Sequence, residues 1–219
     1  MSSRIFSKSK NKISVEKQKQ LKSPFGQSGF QIGEAMFEGN AGVIDRAIKH
    51  IRGGNKKILR ICDIGCGPGY GLMRLAQKFP NAQIVGVDPS CEMIEMSAKI
   101  RKDFELKFDL VQDSLPCLPF EKNQFDYVML VNVVYFLDDL EASLCEIRRI
   151  LIQTGMIIIY MTDEQSITER IDFSGGVFKP VNKLDLLNLL TKLGFLDFKI
   201  DTFQRKTGET GHILKVKKL

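Results

Sequence analysis

Four glycines at every second position, Gly65, Gly67, Gly69 and Gly71, constrain this chain more than any other feature. They follow the apolar, β-rich run Ile58-Leu59-Arg60-Ile61-Cys62 and the acid Asp63, so a buried strand must turn sharply into a following helix. Without Cβ atoms at Gly65, Gly67 and Gly69 the backbone can press against a bound molecule, and the amides opening the next helix can meet its negative end. A loop serving chain geometry alone is the plainer reading. The signals downstream, which fall in register with the turn, argue for a ligand cradle.

Around the turn, strand and helix patterns alternate. Upstream, Ile44, Ala47, Ile48 and Ile51 recur at helical spacing over Ala41 to Arg52, and Gly53-Gly54 closes that helix before a first strand from about Lys57. Downstream, Leu72, Leu75, Ala76 and Phe79 mark a helix that Pro80 ends. A second strand, Gln83 to Val87, ends in Asp88, and Ser90 is placed to cap a helix with Met93, Met96 and Ile100 on its inner face. Strand three is expected over Leu106 to Gln112 and strand four over Phe125 to Val131. Asp138-Asp139 cap a helix with Leu140, Leu144, Ile147 and Leu151 inward, and Met156 to Tyr160 reads as a fully apolar central strand. After a helix over Lys183 to Leu193, Phe195 to Phe203 and His212 to Lys218 alternate as strands joined by a hairpin loop from Arg205 to Gly211. The pattern predicts an α/β fold whose parallel sheet is finished by a β-hairpin.

Two nucleotide-binding patterns compete for the glycine turn. The dinucleotide fingerprint G-x-G-x-x-G needs a third glycine where Tyr70 or Leu72 stands, so it fails in both registers. The run Asp63-x-Gly65-x-Gly67-x-Gly69 instead resembles motif I of the class I S-adenosylmethionine (SAM) dependent methyltransferases, and the resemblance covers roughly residues 40 to 219. It implies a doubly wound, Rossmann-like seven-stranded sheet, mostly parallel with a reversed strand in the C-terminal hairpin, and S-adenosyl-L-methionine as cofactor. Asp88, at the end of strand two, is placed to accept hydrogen bonds from both ribose hydroxyls, which an acceptor-only carboxylate does well. The resemblance further implies that Gly65, Cys66, Gly67 and Gly69 cradle the methionine part. Asp63 and the strand-four end, Val131 and Asn132, would hold its amino group. Met93 and Asp113 would meet the adenine, with Pro89 and Ser114 beside them. By spacing alone, Met93 fits a core methionine equally well and Asp113 an ordinary turn residue.

In open α/β sheets ligands lie beyond the carboxyl ends of the strands, so Asn132 to Tyr135 are expected to face the reacting methyl group. Asn132 and Tyr135 are therefore the candidate catalytic residues, as orienting hydrogen-bond partners. The N-P-P-aromatic signature of many base N-methyltransferases is absent from Val131-Asn132-Val133-Val134-Tyr135, as is the glutamate pair of protein arginine methyltransferases. Both absences favour a small-molecule O, N or C nucleophile as acceptor.

At 219 residues the chain suits one domain, read as residues 23 to 219. The first 22 residues hold seven Lys/Arg against one Glu, and residues 205 to 219 hold five against one, which leaves the body mildly acidic within a net charge of +6. Residues 1 to 22 are expected as a basic disordered tail, at most a frayed helix near Ile13 to Leu21. Such a tail can meet nucleic acid or an anionic surface, so an RNA or protein methyltransferase is the first alternative. A non-catalytic SAM-binding or assembly protein is the second, and a nicotinamide dehydrogenase a weaker third. Ser23 to Gly39, apolar and glycine-rich, folds over the pocket as a lid or packs on the core edge. Residues 162 to 182 lack a clear pattern and read as an acceptor-binding insertion, with Phe173 and Phe178 as walls. Five cysteines without C-x-x-C spacing, and no histidine near Cys62 and Cys66, predict reduced thiols and no metal site. No run reaches the ~18 apolar residues of a membrane span, and a cytoplasmic protein is expected.

Overall fold

A computed structural model describes residues 12–54, 58–171 and 173–219 of the chain. One sheet holds β1 (Arg60–Ile64), β2 (Gln83–Val87), β3 (Asp109–Val111), β4 (Phe125–Val131), β5 (Leu151–Thr162), β6 (Phe195–Gln204) and β7 (Thr210–Lys218). Their order is β3-β2-β1-β4-β5-β7-β6, and β1 to β5 pair in parallel while β7 runs antiparallel between β5 and β6. The expected doubly wound sheet with a reversed strand in the closing hairpin is the one observed. Helices α1 (Val15–Lys22), α2 (Gly26–Gly39), α3 (Ala41–Ile48), α4 (Tyr70–Lys78), α5 (Cys91–Asp103), α6 (Leu140–Ile150), α7 (Glu164–Thr168) and α8 (Lys183–Lys192) surround it.

Alternation along β4 divides the interior in two. Val128 and Leu130 join a core with Leu144 and Ile147 of α6 and Leu186 and Leu190 of α8, whereas Tyr127 and Met129 join Ala47 and Ile48 of α3 and Leu72 and Leu75 of α4. Successive strand residues point to opposite faces, so an apolar run is stable only where helices cover both. Ile157, Ile158, Ile159 and Tyr160 of β5 meet that condition and are fully buried. Each such side chain contributes about 1.5–3 kcal/mol by leaving water.

Three departures from the sequence reading have local causes. Leu151, expected as an inward helical residue, opens β5 instead: it pairs with Phe125, and the register shifts between Phe125 and Tyr127. The third strand is limited to Asp109–Val111 because it pairs only with Val85 to Val87 at the sheet edge. Within the expected tail, the helix allowed near Ile13 to Leu21 is formed over Val15–Lys22 and is tied down rather than frayed. Gln18 and Gln20 of α1 are buried, with the Gln18 side-chain amide donating to the Ile13 carbonyl oxygen at 2.9 Å. The Gln20 amide closes on both backbone groups of Phe25, accepting from its N–H at 3.0 Å and donating to its carbonyl at 3.3 Å. Ile13 N–H donates to the Arg170 carbonyl at 2.7 Å, and Val15 stands against Gly175. Side-chain hydrogen bonds to nearby backbone, with Ile13 tied to Arg170, thus order a polar helix that apolar burial alone does not. Residues 1 to 11 of the expected tail lie outside the described residues.

Residues 23 to 39, given above as lid or edge packing, are mostly α2, which lies on α5. A Cβ at Gly33 would stand 2.7 Å from Met93 Cε and would also meet Met96. Gly33→Leu is therefore expected to destabilise the protein by about 1–3 kcal/mol through overpacking. Limited proteolysis should cut the variant first within residues 12 to 39, and a wild-type cleavage pattern and melting temperature would contradict this docking.

Candidate functional site

The strand order reverses between β1 and β4, and a cavity of about 360 Å³ opens beyond their carboxyl ends. The glycine turn forms one wall. Gly65 and Cys66 N–H donate to the Val87 carbonyl at 2.8 and 3.0 Å, folding the turn onto the end of β2, and Ser97 Oγ of α5 donates to the Gly67 carbonyl at 2.9 Å. Gly65 and Gly67 have φ of +69° and +55°, a region that favours glycine. A Cβ on Gly65 would strike Val133, whereas one on Gly67 would meet nothing within 4 Å. Gly65 lets the end of β4 close on the turn, and Gly67 presents bare backbone beside the cavity. Gly69, expected to bind the cofactor, does not line the cavity. It caps α4 at φ +92°, and its missing Cβ leaves room for Ser97 Oγ at 2.7 Å, so this glycine serves the approach of α5 to α4.

Two acids line the cavity deep in the fold, Asp63 at 3% exposure and Asp88 at 6%. Asp88 Oδ2 accepts from Gly67 N–H at 2.8 Å and Oδ1 from Ser90 N–H at 3.0 Å. Asp63 occupies space that only a glycine at 71 leaves, since its Oδ2 lies 2.5 Å from where a Gly71 Cβ would be. Among the described residues no hydrogen bond engages the Asp63 carboxyl group. Burial, and then the nearby Asp88, push it up to about 8, and burial pushes Asp88 up to about 6 against its two backbone hydrogen bonds. A buried carboxylate without a partner is costly, and a cationic ligand group would relieve that cost.

Other expected residues converge on the same space. Cys66, Pro89, Met93, Asp113, Ser114, Val131 and Asn132 all line it, with Met93 fully buried and Pro89 and Ser114 exposed at the surface. Asp113 Oδ1 accepts from Ser114 N–H at 2.7 Å. Burial raises the Cys66 thiol well above its ordinary value, so it is an uncharged wall.

At the end of β4, Asn132 adopts φ +61° and donates from Nδ2 to Asn40 Oδ1 at 3.1 Å. Asparagine tolerates this backbone better than most side chains. Tyr135 departs from its expected role. Its hydroxyl accepts from Thr162 N–H and is directed at the Thr162 carbonyl at 3.4 Å, and burial raises it above the ordinary phenol range. That hydroxyl is committed to the end of β5, so Tyr135 contributes its ring. The ring stacks on Phe178 with centroids 4.6 Å apart and an interplanar angle of 15°. Phe178 lines the cavity, while Phe173, the other expected wall, meets Phe178 from behind at 6.2 Å and does not reach it. Residues 162 to 182 pack through Ile167, Ile171, Phe178 and Val181 rather than standing out as an open insertion. Asn40, Arg170, Arg205 and Glu209 also line the cavity and were not singled out from sequence. The one hint was a charged pair, Arg205 and Glu209, flanking the Gly208 turn.

Residues 62–159 match the family model of a methyltransferase domain. The match identifies a SAM-dependent methyltransferase domain within the chain. Among curated relatives, a malonyl-acyl-carrier-protein O-methyltransferase of Legionella pneumophila is 34% identical over 99 residues, covering 45% of this chain and 34% of that protein. The sterol 24-C-methyltransferase erg6 of Schizosaccharomyces pombe is 28% identical over 157 residues, covering 66% of this chain and 41% of that protein. The chain thus spans well under half the length of these two relatives. Phosphoethanolamine N-methyltransferase 2 of Haemonchus contortus, solved in complex with S-adenosyl-L-methionine, shares the fold with a TM-score of 0.73 at 18% identity, covering 94% of this chain and 60% of that one.

The raised acids of this methyltransferase fold set a pH dependence. Between the ordinary carboxylate value of about 4 and their values in the fold, Asp63 and Asp88 hold protons that the unfolded chain has lost. Their contribution to stability is present below about pH 4 and is lost as pH rises toward about 8. Urea midpoints between about pH 5 and about pH 8 should fall less in Asp63→Asn than in wild type. Equal slopes would show that Asp63 is not held protonated by its surroundings.

Proposed function

We propose that this chain is an enzyme that transfers a methyl group from S-adenosyl-L-methionine to an oxygen, nitrogen or carbon nucleophile of a small molecule. The observation that carries the reading is the buried pair Asp63 and Asp88, opening on the bare backbone of Gly67 at the switch point of the sheet. The residues present fit the cofactor. Asp63, buried and without a hydrogen-bond partner among the described residues, suits an ammonium group. The remaining acceptor lone pairs of Asp88 suit a ribose diol. Met93 supplies an apolar surface and Asp113 an acceptor for an adenine amino group.

S-adenosyl-L-methionine supplies a methyl group made transferable by its sulfonium centre. The chain's own contribution is positioning, which in well-oriented reactions supplies up to about 7–11 kcal/mol, together with exclusion of water. Asn132, held by Asn40 at the end of β4, orients groups at the reacting end, and the rings of Tyr135 and Phe178 give the acceptor an apolar wall. Cover by α1, α2 and residues 162 to 182 supports a small acceptor, because it leaves a recess of about 360 Å³ rather than a flat face. The relatives are a malonyl-acyl-carrier-protein O-methyltransferase and a sterol 24-C-methyltransferase, so they favour no single acceptor.

Calorimetric titration with S-adenosyl-L-methionine, S-adenosylhomocysteine and NAD tests the cofactor. Both adenosyl ligands should bind in the micromolar range and NAD should not. Asp88→Ala should weaken them by about 1.5–3 kcal/mol, the scale of a hydrogen bond to a charged group. A folded wild type that binds neither adenosyl ligand overturns the proposal. Once an acceptor is in hand, Asn132→Ala should lower turnover while leaving S-adenosylhomocysteine affinity nearly unchanged; unaltered turnover removes Asn132 from the mechanism.

A further inference from the structure

The end of the sheet away from the cavity carries a group of cations that the site does not use. α3 ends at Ile48, and lysines from two other elements close on that end: Lys78 Nζ of α4 donates to the Ile48 carbonyl at 2.8 Å, and Lys215 Nζ of β7 donates to the His50 carbonyl at 2.9 Å. Lys215 stands directly opposite Lys199 of β6, and Lys217 opposite Leu196, so all four side chains share the α3 face of the hairpin. Lys217 also pairs with Met156, level with the start of β4. Lys49 and Arg52 complete the group. The charge of Arg52 acts on both Lys78 and Lys215, that of Lys49 on Lys78, and that of Lys199 on Lys215.

The fold does little to neutralise these cations. Asp201, on the same face, is held by Arg46 through contacts of 2.7 and 2.9 Å, with His50 Nε2 at 3.7 Å. Asp197, at the bulge of β6, acts on Lys215. Among the described residues no hydrogen bond, ion pair or ring contact engages the side chains of Lys49, Arg52, Lys199 or Lys217. Burial and the neighbouring cations lower Lys78 and Lys215 below the ordinary lysine value. Like charges directly opposite on paired strands destabilise a sheet, so the pairing of Lys199 with Lys215 is a cost that an external anion would relieve.

Aliphatic side chains lie exposed at the same end. Leu196 is 40% exposed, Ile58, just before β1, 47%, and Leu219, just after β7, 48%. The rings beside the cations, Phe79, Tyr127 and Phe203, each already lie under Lys78, Lys215 and Arg46. That difference decides between two polyanions. Single-stranded nucleic acid is held by cations interleaved with open aromatic faces on which bases stack. An anionic bilayer takes lysines at its headgroups and aliphatic side chains at the acyl boundary.

We propose that this end of the sheet is a peripheral docking surface for an anionic lipid bilayer, with Lys49, Arg52 and Lys199 at the headgroups and Leu196 reaching the acyl boundary. The cavity opens at the opposite end of the parallel strands, so docking leaves the ligand entrance facing solvent.

The test is co-sedimentation of the full chain, at low salt, with vesicles of phosphatidylcholine alone and of an equimolar mixture with phosphatidylserine. Wild type should partition at least about tenfold more strongly into the anionic vesicles, since each basic residue near such a surface contributes about fivefold. Arg52→Gln combined with Lys199→Gln should lower that partitioning by about twenty-fivefold, two such steps, with a melting temperature no lower than wild type because both substitutions remove repulsion. Lys19→Gln combined with Lys206→Gln removes the same net charge elsewhere and should leave partitioning nearly unchanged. Leu196→Ser should weaken the part of the binding that persists at high salt. Equal partitioning of wild type into both vesicles, equal losses in the two double variants, or binding to a mixed-sequence RNA oligonucleotide in place of the vesicles overturns the proposal.

Discussion

Two carboxylic acids buried beside one glycine turn are the constraint on which the rest of this structure depends. Parallel pairing puts Asp63 of β1 opposite Gly86 of β2, so Asp88, just past the end of β2, comes to the same end of the sheet. An antiparallel pair of the same two strands would separate the acids by the length of a strand. The turn absorbs the consequences of that proximity: Gly71 leaves space for the Asp63 carboxyl, and Gly67 and Ser90 donate their N–H groups to Asp88. What remains unsatisfied is charge. The fold answers by raising both acids, and a cationic group placed beside them would let them ionise.

Much of this arrangement was legible in the sequence because it rests on short-range patterns. The glycine spacing, the acid closing each of the first two strands and the helical spacing of Leu72, Leu75 and Ala76 each report on a few neighbouring residues. The seven-stranded sheet with its reversed strand was implied by the family resemblance that the glycine turn carries. Less legible were contacts that no periodicity marks, some of them between residues far apart along the chain. Gly69 answers to Ser97, Tyr135 to Thr162, and Gln20 to Phe25 across a turn that no periodicity marks. The Arg170, Arg205 and Glu209 cluster, with Asn40, is drawn from three separated stretches, none of which carries a spacing that names it.

The cover of the cavity illustrates how weakly amphipathic segments become ordered. α1 has little apolar surface to bury, yet Ile13 pairs with Ile171 and the Arg170 carbonyl, and Lys22 Nζ reaches Asp138 at 2.9 Å. The exposed Lys22 pair adds little by itself. The buried amides of Gln18 and Gln20 contribute more, because each satisfies backbone groups that would otherwise need water. α2 adds an apolar seam against α5, where Gly33 lets the helices approach closely. Cover built from polar contacts separates at lower cost than a core does, which suits a wall that ligands must pass.

The place of β7 bears on how the molecule comes to exist. It enters the sheet between β5 and β6, both made before it, and it brings Glu209 alongside with the same hairpin that Arg205 anchors to Gly39. Until β7 is made, β6 has no neighbour to pair with, and the cavity lacks the wall that carries Arg205 and Glu209. The cavity therefore closes only when the β6–β7 hairpin is in place, with Arg205 tying it to the end of α2. A ribosome-bound intermediate would hold a formed glycine turn with an open side, and quality control would see an exposed sheet edge until that event takes place.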